Sequence, residues 1–193
     1  RRLEIIDHFI AIDSKTEQSL FSNLPSSCNK SVIITNPFKF DNINKKEINF
    51  PFDLSAYEMI FGFVGIFIPD KGIDFIFDAI SKLKTDKSIA LVLVGDGELY
   101  DELAMKITYS FDVDVFLLGL ISNLSDTNFY SSIDLLLRGD QSFRTGRTVY
   151  EALYAGKNVL IPKEKNPGFY DIELEKFNNK VQYYLPRDEE SLI

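Results

Sequence analysis

The chain has 193 residues, 45% of them apolar, which is enough to bury a sizeable core as roughly one domain of ordinary size. Its formal charge of −8 argues against broad nucleic-acid binding, where a basic face must neutralise phosphates, so any phosphate ligand has to be held by a local cluster of cations. The single cysteine, Cys28, excludes an internal disulfide and lacks the partners of a metal site, no run approaches the roughly 18–20 apolar residues of a membrane span, and a reducing, cytoplasmic compartment is expected.

Arg1 follows no Met and the chain stops at Ser191-Leu192-Ile193, in what reads as the opening turn of a helix, so both ends are expected to be cuts within a longer polypeptide. Ile5 to Ile12 reads as a strand with the only histidine, His8, embedded in it in a structural role. Asp13-Ser14 then caps a helix reaching about Asn23, with Glu17 at capping-box spacing from Ser14. Ser31 to Thr35 is a second short strand, broken by Asn36-Pro37. The stretch 38–57 is polar, rich in Asn and Lys, and contains Pro51, as a linker or surface crossing would be. The expected division is therefore a first segment, 1–37, a linker, 38–57, and a main domain, 58–193.

The stronger pattern begins at Met59, where Met59 to Phe67 is almost continuously apolar, as in a parallel-sheet strand covered on both faces. Asp70-Lys71-Gly72 turns the chain into a helix whose Ile73, Ile76, Phe77, Ile80 and Leu83 form one stripe. Ala90 to Val94 is the next buried strand, Gly95-Asp96-Gly97 a tight turn, and a helix is expected from about Glu98 to Ser110. Val113 to Leu118 is a strand, a helix spans about Asp126 to Ser132, and Ile133 to Leu137 is a further strand. Gly146 and Thr148 open another helix, Gly156 supplies its left-handed stop, and Val159-Leu160-Ile161 is a buried strand closed by Pro162. A helix after Gly168 reaches about Phe177, and Val181 to Leu185 is the last strand. Five or six such alternations with right-handed crossovers make a doubly wound, Rossmann-like α/β sheet.

Ligands of such sheets bind outside the carboxyl ends of the strands. The loops to search are Gly65 to Gly72, Gly95 to Glu98, Gly119 to Ser122, Arg138 to Gly146 and Pro162 to Gly168. Lys71, Arg138, Arg144 and Arg147 fall in or beside them, local positive charge of the kind a diphosphate requires, although two of the four are expected to be bystanders. Glu151 is expected near the first turn of its helix, beside N–H groups that favour anions. There its carboxylate either complements the helix dipole or accepts the vicinal hydroxyls of a ribose, with a phosphate on the neighbouring N–H groups. Phe50, Phe52, Phe61, Phe63 and Phe67 are read as core or interface rather than sugar-stacking platforms.

The order of these motifs carries a resemblance. Ile33-Ile34-Thr35-Asn36-Pro37-Phe38, Phe63-Val64-Gly65 through Asp70-Lys71-Gly72, V-L-V-G-D-G-E within Leu91 to Glu98, Phe116-Leu117-Leu118-Gly119, and Glu151-Ala152-Leu153-Tyr154-Ala155-Gly156 stand in sequence. Together they resemble the C-terminal, donor-binding half of GT-B glycosyltransferases of family-4 type, over nearly the whole chain. The resemblance implies a retaining hexosyltransferase of polysaccharide biosynthesis that passes a sugar from a nucleoside-diphosphate donor, of UDP or GDP type, to a glycan or lipid-linked acceptor, with no cofactor and no metal. It implies that Lys71 contacts the diphosphate, and it casts Lys71 and Arg138 as the catalytic cations. Gly65, Arg144, Gly146 and the N–H groups of Arg147 and Thr148 would border the phosphates, Glu151 would hold the ribose, and backbone at Leu120 and Ile121 would face the base.

Two positions depart from the family pattern. An Arg usually follows the glycine matched by Gly65, and here it is Ile66; the first glutamate of the paired E-x7-E pattern falls on Phe143. Arg138 or Arg144 would replace the lost cation and Asp140 the lost acceptor. The alternative implied by those departures is a non-catalytic GT-B-like binding or partner subunit; an epimerase would need acid–base groups not found, and a lone Gly-Asp-Gly turn gives a nicotinamide dehydrogenase little support. Peripheral contact with the inner face of a membrane would come through an N-terminal, acceptor-binding half, and the fragment alone should bind donor without turnover, because closure of the cleft needs both halves.

Overall fold

A computed structural model describes residues 6–27, 29–34, 45–109, 112–140, 145–163 and 171–193. Its contacts divide into two units, Arg1–Lys39 with Glu164–Lys176, and Phe40–Lys163 with Phe177–Ile193.

In the smaller unit, strands β1 (Phe9–Ala11) and β2 (Ser31–Ile33) pair in parallel through helix α1 (Ser14–Asn23). The strand is shorter than expected at both described ends, and His8 stands exposed just before it rather than within it. The cap is Asp13, not Ser14: Asp13 is extended and its carboxylate accepts from the Thr16 N–H at 2.6 Å. Glu17 is then one residue too far for a capping box and accepts instead from the Ser31 hydroxyl at 2.7 Å, tying the helix to β2. Thr35 to Pro37 lie outside the described residues. Helix α6 (Ile172–Glu175) belongs to this unit; the expected helix from Gly168 to Phe177 is that single turn, with 164–170 outside the described residues.

The larger unit holds a six-stranded, all-parallel sheet in the order β5-β4-β3-β6-β7-β8. Its strands are β3 (Met59–Val64), β4 (Ile89–Val94), β5 (Val113–Gly119), β6 (Leu135–Leu137), β7 (Asn158–Pro162) and β8 (Val181–Tyr184). This is the Rossmann strand order, with the winding direction reversing between β3 and β6. Every residue of β4 is buried, which is why it reads as an unbroken apolar run. Helix α2 (Ile73–Lys82) buries Ile73, Ile76, Phe77 and Ile80 of the predicted stripe together with Ala79, while Leu83, the last of the stripe, caps the helix end and is half-buried. Gly62 lets β3 lie tight under α4 (Phe129–Ser132), since a Cβ there would stand 2.8 Å from Ile133 Cδ1. The smaller helices α3 (Tyr100–Lys106), α5 (Arg147–Tyr154) and α7 (Glu189–Leu192) complete the layers.

Several elements are shorter than expected, each for a local reason. β3 ends at Val64 rather than Phe67, because Phe67 turns to exchange bonds with Asp96 and Leu99. α3 stops at Lys106, where Thr108 bonds back to the Met105 carbonyl with its N–H and its hydroxyl. α4 starts only at Phe129: the Thr127 hydroxyl takes the Leu124 carbonyl, and the Asn128 side chain accepts from the Ile48 N–H instead of capping. β6 starts at Leu135 because the Asp134 carboxylate folds onto the Ile60 N–H, and β8 ends at Tyr184 rather than Leu185, whose N–H bonds the Ser191 hydroxyl.

Edge strand β5 is covered by the stretch leading into β3. Phe52 stacks on Phe116 with ring centroids 4.0 Å apart, Phe50 and Tyr57 pack edge-on to Phe52, and Tyr57 donates to Asp114 at 2.8 Å. Phe61, Phe63 and Phe67 lie in the core, so the phenylalanines take the packing roles expected of them.

Candidate nucleotide-sugar site

The reversal of winding puts the crevice outside the carboxyl ends of β3 and β6. After β3 the chain runs through Gly65 and exposed Ile66 to a 3-10 turn, Pro69–Lys71, closed by Gly72 at φ +65°. After β6 it runs through Arg138, Gly139 and Asp140. The two loops meet backbone to backbone: a Cβ on Gly72 would lie 2.2 Å from the Gly139 carbonyl oxygen, and one on Gly139 would lie 2.2 Å from that of Gly72. Only a glycine pair fits this approach.

That contact brings Lys71 and Arg138 to one anion. Asp140, 2% exposed, accepts through one oxygen from Lys71 Nζ and Arg138 Nη2, both at 2.9 Å. The lysine side chain is 40% exposed and the arginine side chain 15%, so one cation faces water while the other is held within the protein. Burial pulls the Arg138 guanidinium below its ordinary value against the opposing pull of Asp140. Tyr184, its phenol pushed upward by burial, donates to the Arg138 carbonyl at 2.7 Å and anchors the strand end from β8. One oxygen of the Asp140 carboxylate is thus shared by the two cations.

Gly146 caps α5 against the same guanidinium, since a Cβ there would meet Arg138 Nη1 at 2.2 Å. The first N–H groups of α5, from Arg147 and Thr148, therefore open beside Arg138, and helix N-termini supply donors with no intrahelical acceptor. Glu151 lies in the second turn rather than the first, because the helix begins at Arg147. It is 5% exposed, and its two oxygens take different partners: Tyr130 Oη donates to Oε2 at 2.6 Å, and Arg147 Nε lies 3.2 Å from Oε1. Sequence reasoning missed Tyr130, whose four-residue helix offers no pattern that singles it out. Gly156 ends α5 at φ +79°, the left-handed stop expected of it.

On the other side of β3, Gly119 turns at φ +67°, leaving Leu120 76% exposed and Ile121 half-buried at the carboxyl end of β5. The Gly95-Asp96-Gly97 stretch is a packing turn: a Cβ on either glycine would strike the backbone of Gly65 or Phe67. Phe143 and Arg144 lie outside the described residues. A cavity of about 290 Å³, lined by Met59, Ile80, Leu83, Leu135, Asn158 and Leu192 among others, reaches the amino ends of β3, β6 and β7, away from this crevice. Among the described residues no cluster of His, Cys, Asp and Glu could hold a metal ion, and no helix is long and apolar enough to cross a membrane.

The family described as "Glycosyl transferases group 1" matches residues 44–179, a span that includes every strand of the crevice and both of its loops. The chain belongs to this family. The uncharacterized glycosyltransferase MJ1178 of Methanocaldococcus jannaschii is 26% identical over 173 residues, covering 89% of this chain and 44% of its own. Anabaena Alr3699/HepE, solved in complex with UDP and glucose, superimposes with a TM-score of 0.70 at 22% identity, over 98% of this chain and 52% of its own. A glycosyltransferase from Rickettsia africae ESF-5 gives 0.69 at 18% identity, over 96% and 51%. The fold is thus that of GT-B glycosyltransferases, and the chain spans about half the length of the relatives it matches.

Proposed function

We propose that this chain is the donor-binding part of a retaining hexosyltransferase, taking a nucleoside-diphosphate sugar of UDP or GDP type and passing the sugar to a glycan or lipid-linked acceptor in polysaccharide biosynthesis. The observation that carries the reading is the cation pair Lys71 and Arg138, held on buried Asp140 at the strand-order reversal beside the N-terminus of α5. A diphosphate leaving group needs preorganised positive charge where its own negative charge develops, and that is what this corner of the crevice offers. Breaking the bond from the anomeric carbon to the diphosphate leaves the electron pair on the diphosphate. Lys71 and Arg138 stabilise that charge, while the acceptor hydroxyl bonds the anomeric carbon and its proton passes to the departing phosphate. Gly65, Gly146, the N–H groups of Arg147 and Thr148, and Arg144 border the phosphates; Glu151 holds the ribose; backbone at Leu120 and Ile121 faces the base. No metal or cofactor is required. HepE, the Anabaena neighbour, was solved with UDP and with UDP-glucose, which supports a uridine donor here.

We further place the protein in the cytoplasm, peripheral to the membrane where the acceptor is lipid-linked, with the first segment, to about residue 37, belonging to the acceptor-binding half. The chain alone binds donor without turnover.

Exposed Ile66, standing where the family usually carries an arginine, favours a second reading, a nucleotide-binding partner that does not catalyse. Calorimetric titration at low salt with UDP, GDP, ADP and one sugar conjugate of each tests the first. Selective binding of one nucleotide, weakened about ten-fold or more in Glu151→Ala and in Lys71→Ala, supports it; affinity unchanged in both variants refutes the site. Sugar transfer by a two-domain form then separates the enzyme from the partner.

A further inference from the structure

Glu151 is gripped by two groups of very different exposure. Tyr130 is 2% exposed, its ring packed edge-on against Phe129 at 5.4 Å, and its hydroxyl is fixed on Oε2. Arg147, on Oε1, has a side chain 71% exposed and contributes a single ion-pair contact across one turn of helix. Only the arginine end of this i,i+4 pair is exposed, so its guanidinium can turn to water or to another anion with no repacking, whereas a buried phenol with two torsions cannot leave its place without repacking the core. Burial and the charge of Glu151 both push the phenol far above its ordinary range, so it remains a donor at any working pH. A carboxylate has about four acceptor positions, and these two partners occupy one on each oxygen.

We propose that Tyr130 is a positioning residue for ribose recognition: it locks the Glu151 carboxylate in one plane so that Oε1, paired among the described residues with the exposed Arg147 side chain, is presented to the ribose hydroxyls. The inference rests on the reading of Glu151 as the ribose acceptor. Arg147 swings off Oε1 when the nucleotide enters, toward the phosphates its own N–H already borders, while Tyr130 stays. Discrimination between ribose and a sugar lacking its hydroxyls then depends on Tyr130 although Tyr130 touches no ligand atom, because a carboxylate free to rotate gives up the alignment that a hydroxyl pair needs.

The test compares UDP with 2′,3′-dideoxy-UDP by calorimetry on the wild-type chain and on Tyr130→Phe, which removes one oxygen and keeps the ring. The wild type should prefer UDP by about ten-fold or more, a charged hydrogen bond being decisive when its partner is deleted. In Tyr130→Phe the preference should fall to roughly three-fold or less, with the affinity for the dideoxy compound unchanged. A purely structural tyrosine would weaken both ligands in parallel and leave the ratio intact, which would overturn the proposal. A wild-type chain that binds UDP without preferring it over the dideoxy compound would instead overturn the ribose assignment of Glu151, and the role of Tyr130 with it.

Discussion

Replacing Asp140 by Asn asks how much the shared carboxylate holds together. Asp140 is 2% exposed and bonds two cations at 2.9 Å. The Arg138 guanidinium, 15% exposed, would be left in the protein with no compensating charge, and breaking a buried pair in this way costs about 3–5 kcal/mol. The amide oxygen of Asn can still accept one hydrogen bond, which trims the expected loss to about 2–3 kcal/mol. Lys71, 40% exposed, returns to water and adds little. The double variant Asp140→Asn, Arg138→Met removes both charges and keeps the apolar stem, so it should be more stable than the sum of the single changes by at least about 1 kcal/mol. The corresponding cycle with Lys71→Met should show less coupling. Urea unfolding at pH 7, with the denaturant slope unchanged across the series, measures the four species of each cycle. A loss below about 0.5 kcal/mol in Asp140→Asn, or strict additivity with Arg138→Met, would show that the carboxylate is not the keystone of the site.

Gly72→Ala should cost about 2–4 kcal/mol, combining a strained φ with a clash on the Gly139 carbonyl, whereas Gly156→Ala, with open space around its Cβ, should cost only about 1–2 kcal/mol; equal losses would show that the clash is relieved at no cost. Ile66→Arg places a cation on the exposed loop after β3, and should tighten UDP binding several-fold, about 1 kcal/mol, with a steeper salt dependence; unchanged titrations at low salt would remove Ile66 from the site. Tyr57 is pushed up to about 12, chiefly by burial and then by its bond to Asp114. Because its folded value lies above the ordinary 10.0, its contribution is complete below about pH 10 and is lost as the pH rises toward 12. The stability advantage of wild type over Tyr57→Phe should therefore shrink through that window and nowhere below it, as followed by denaturant midpoints.

The sheet and α2 were legible because burial writes itself into the sequence: β4 is apolar without interruption, and the α2 stripe repeats at helical spacing. The ends of α3 and α4 were not, since they are set by Thr108 and Thr127 hydroxyls taking carbonyls that a longer helix would need. Within the site, Lys71 and Arg138 could be nominated from their loops, but their common partner depends on a contact across 69 positions that only the strand order creates. Of the two cations that share Asp140, Arg138 stands two positions away and could be suspected as its partner, while Lys71 could not. Tyr130 is illegible for the same reason: its partner stands 21 residues away, in a helix whose tilt the sequence does not record.

The meeting of Gly72 and Gly139 also governs how this crevice can move. With a carbonyl of each loop pressed on the other's backbone, neither the Lys71 turn nor the Arg138 turn can shift alone, and α2, whose Ile76 N–H donates to the Gly72 carbonyl, is geared to the end of β6. A tilt of that helix would carry both cations as one body. Any remodelling of the pocket, by selection or by engineering, has to change the two loops in step; a lengthened loop on one side would need a matching change on the other before the charges could face a ligand together.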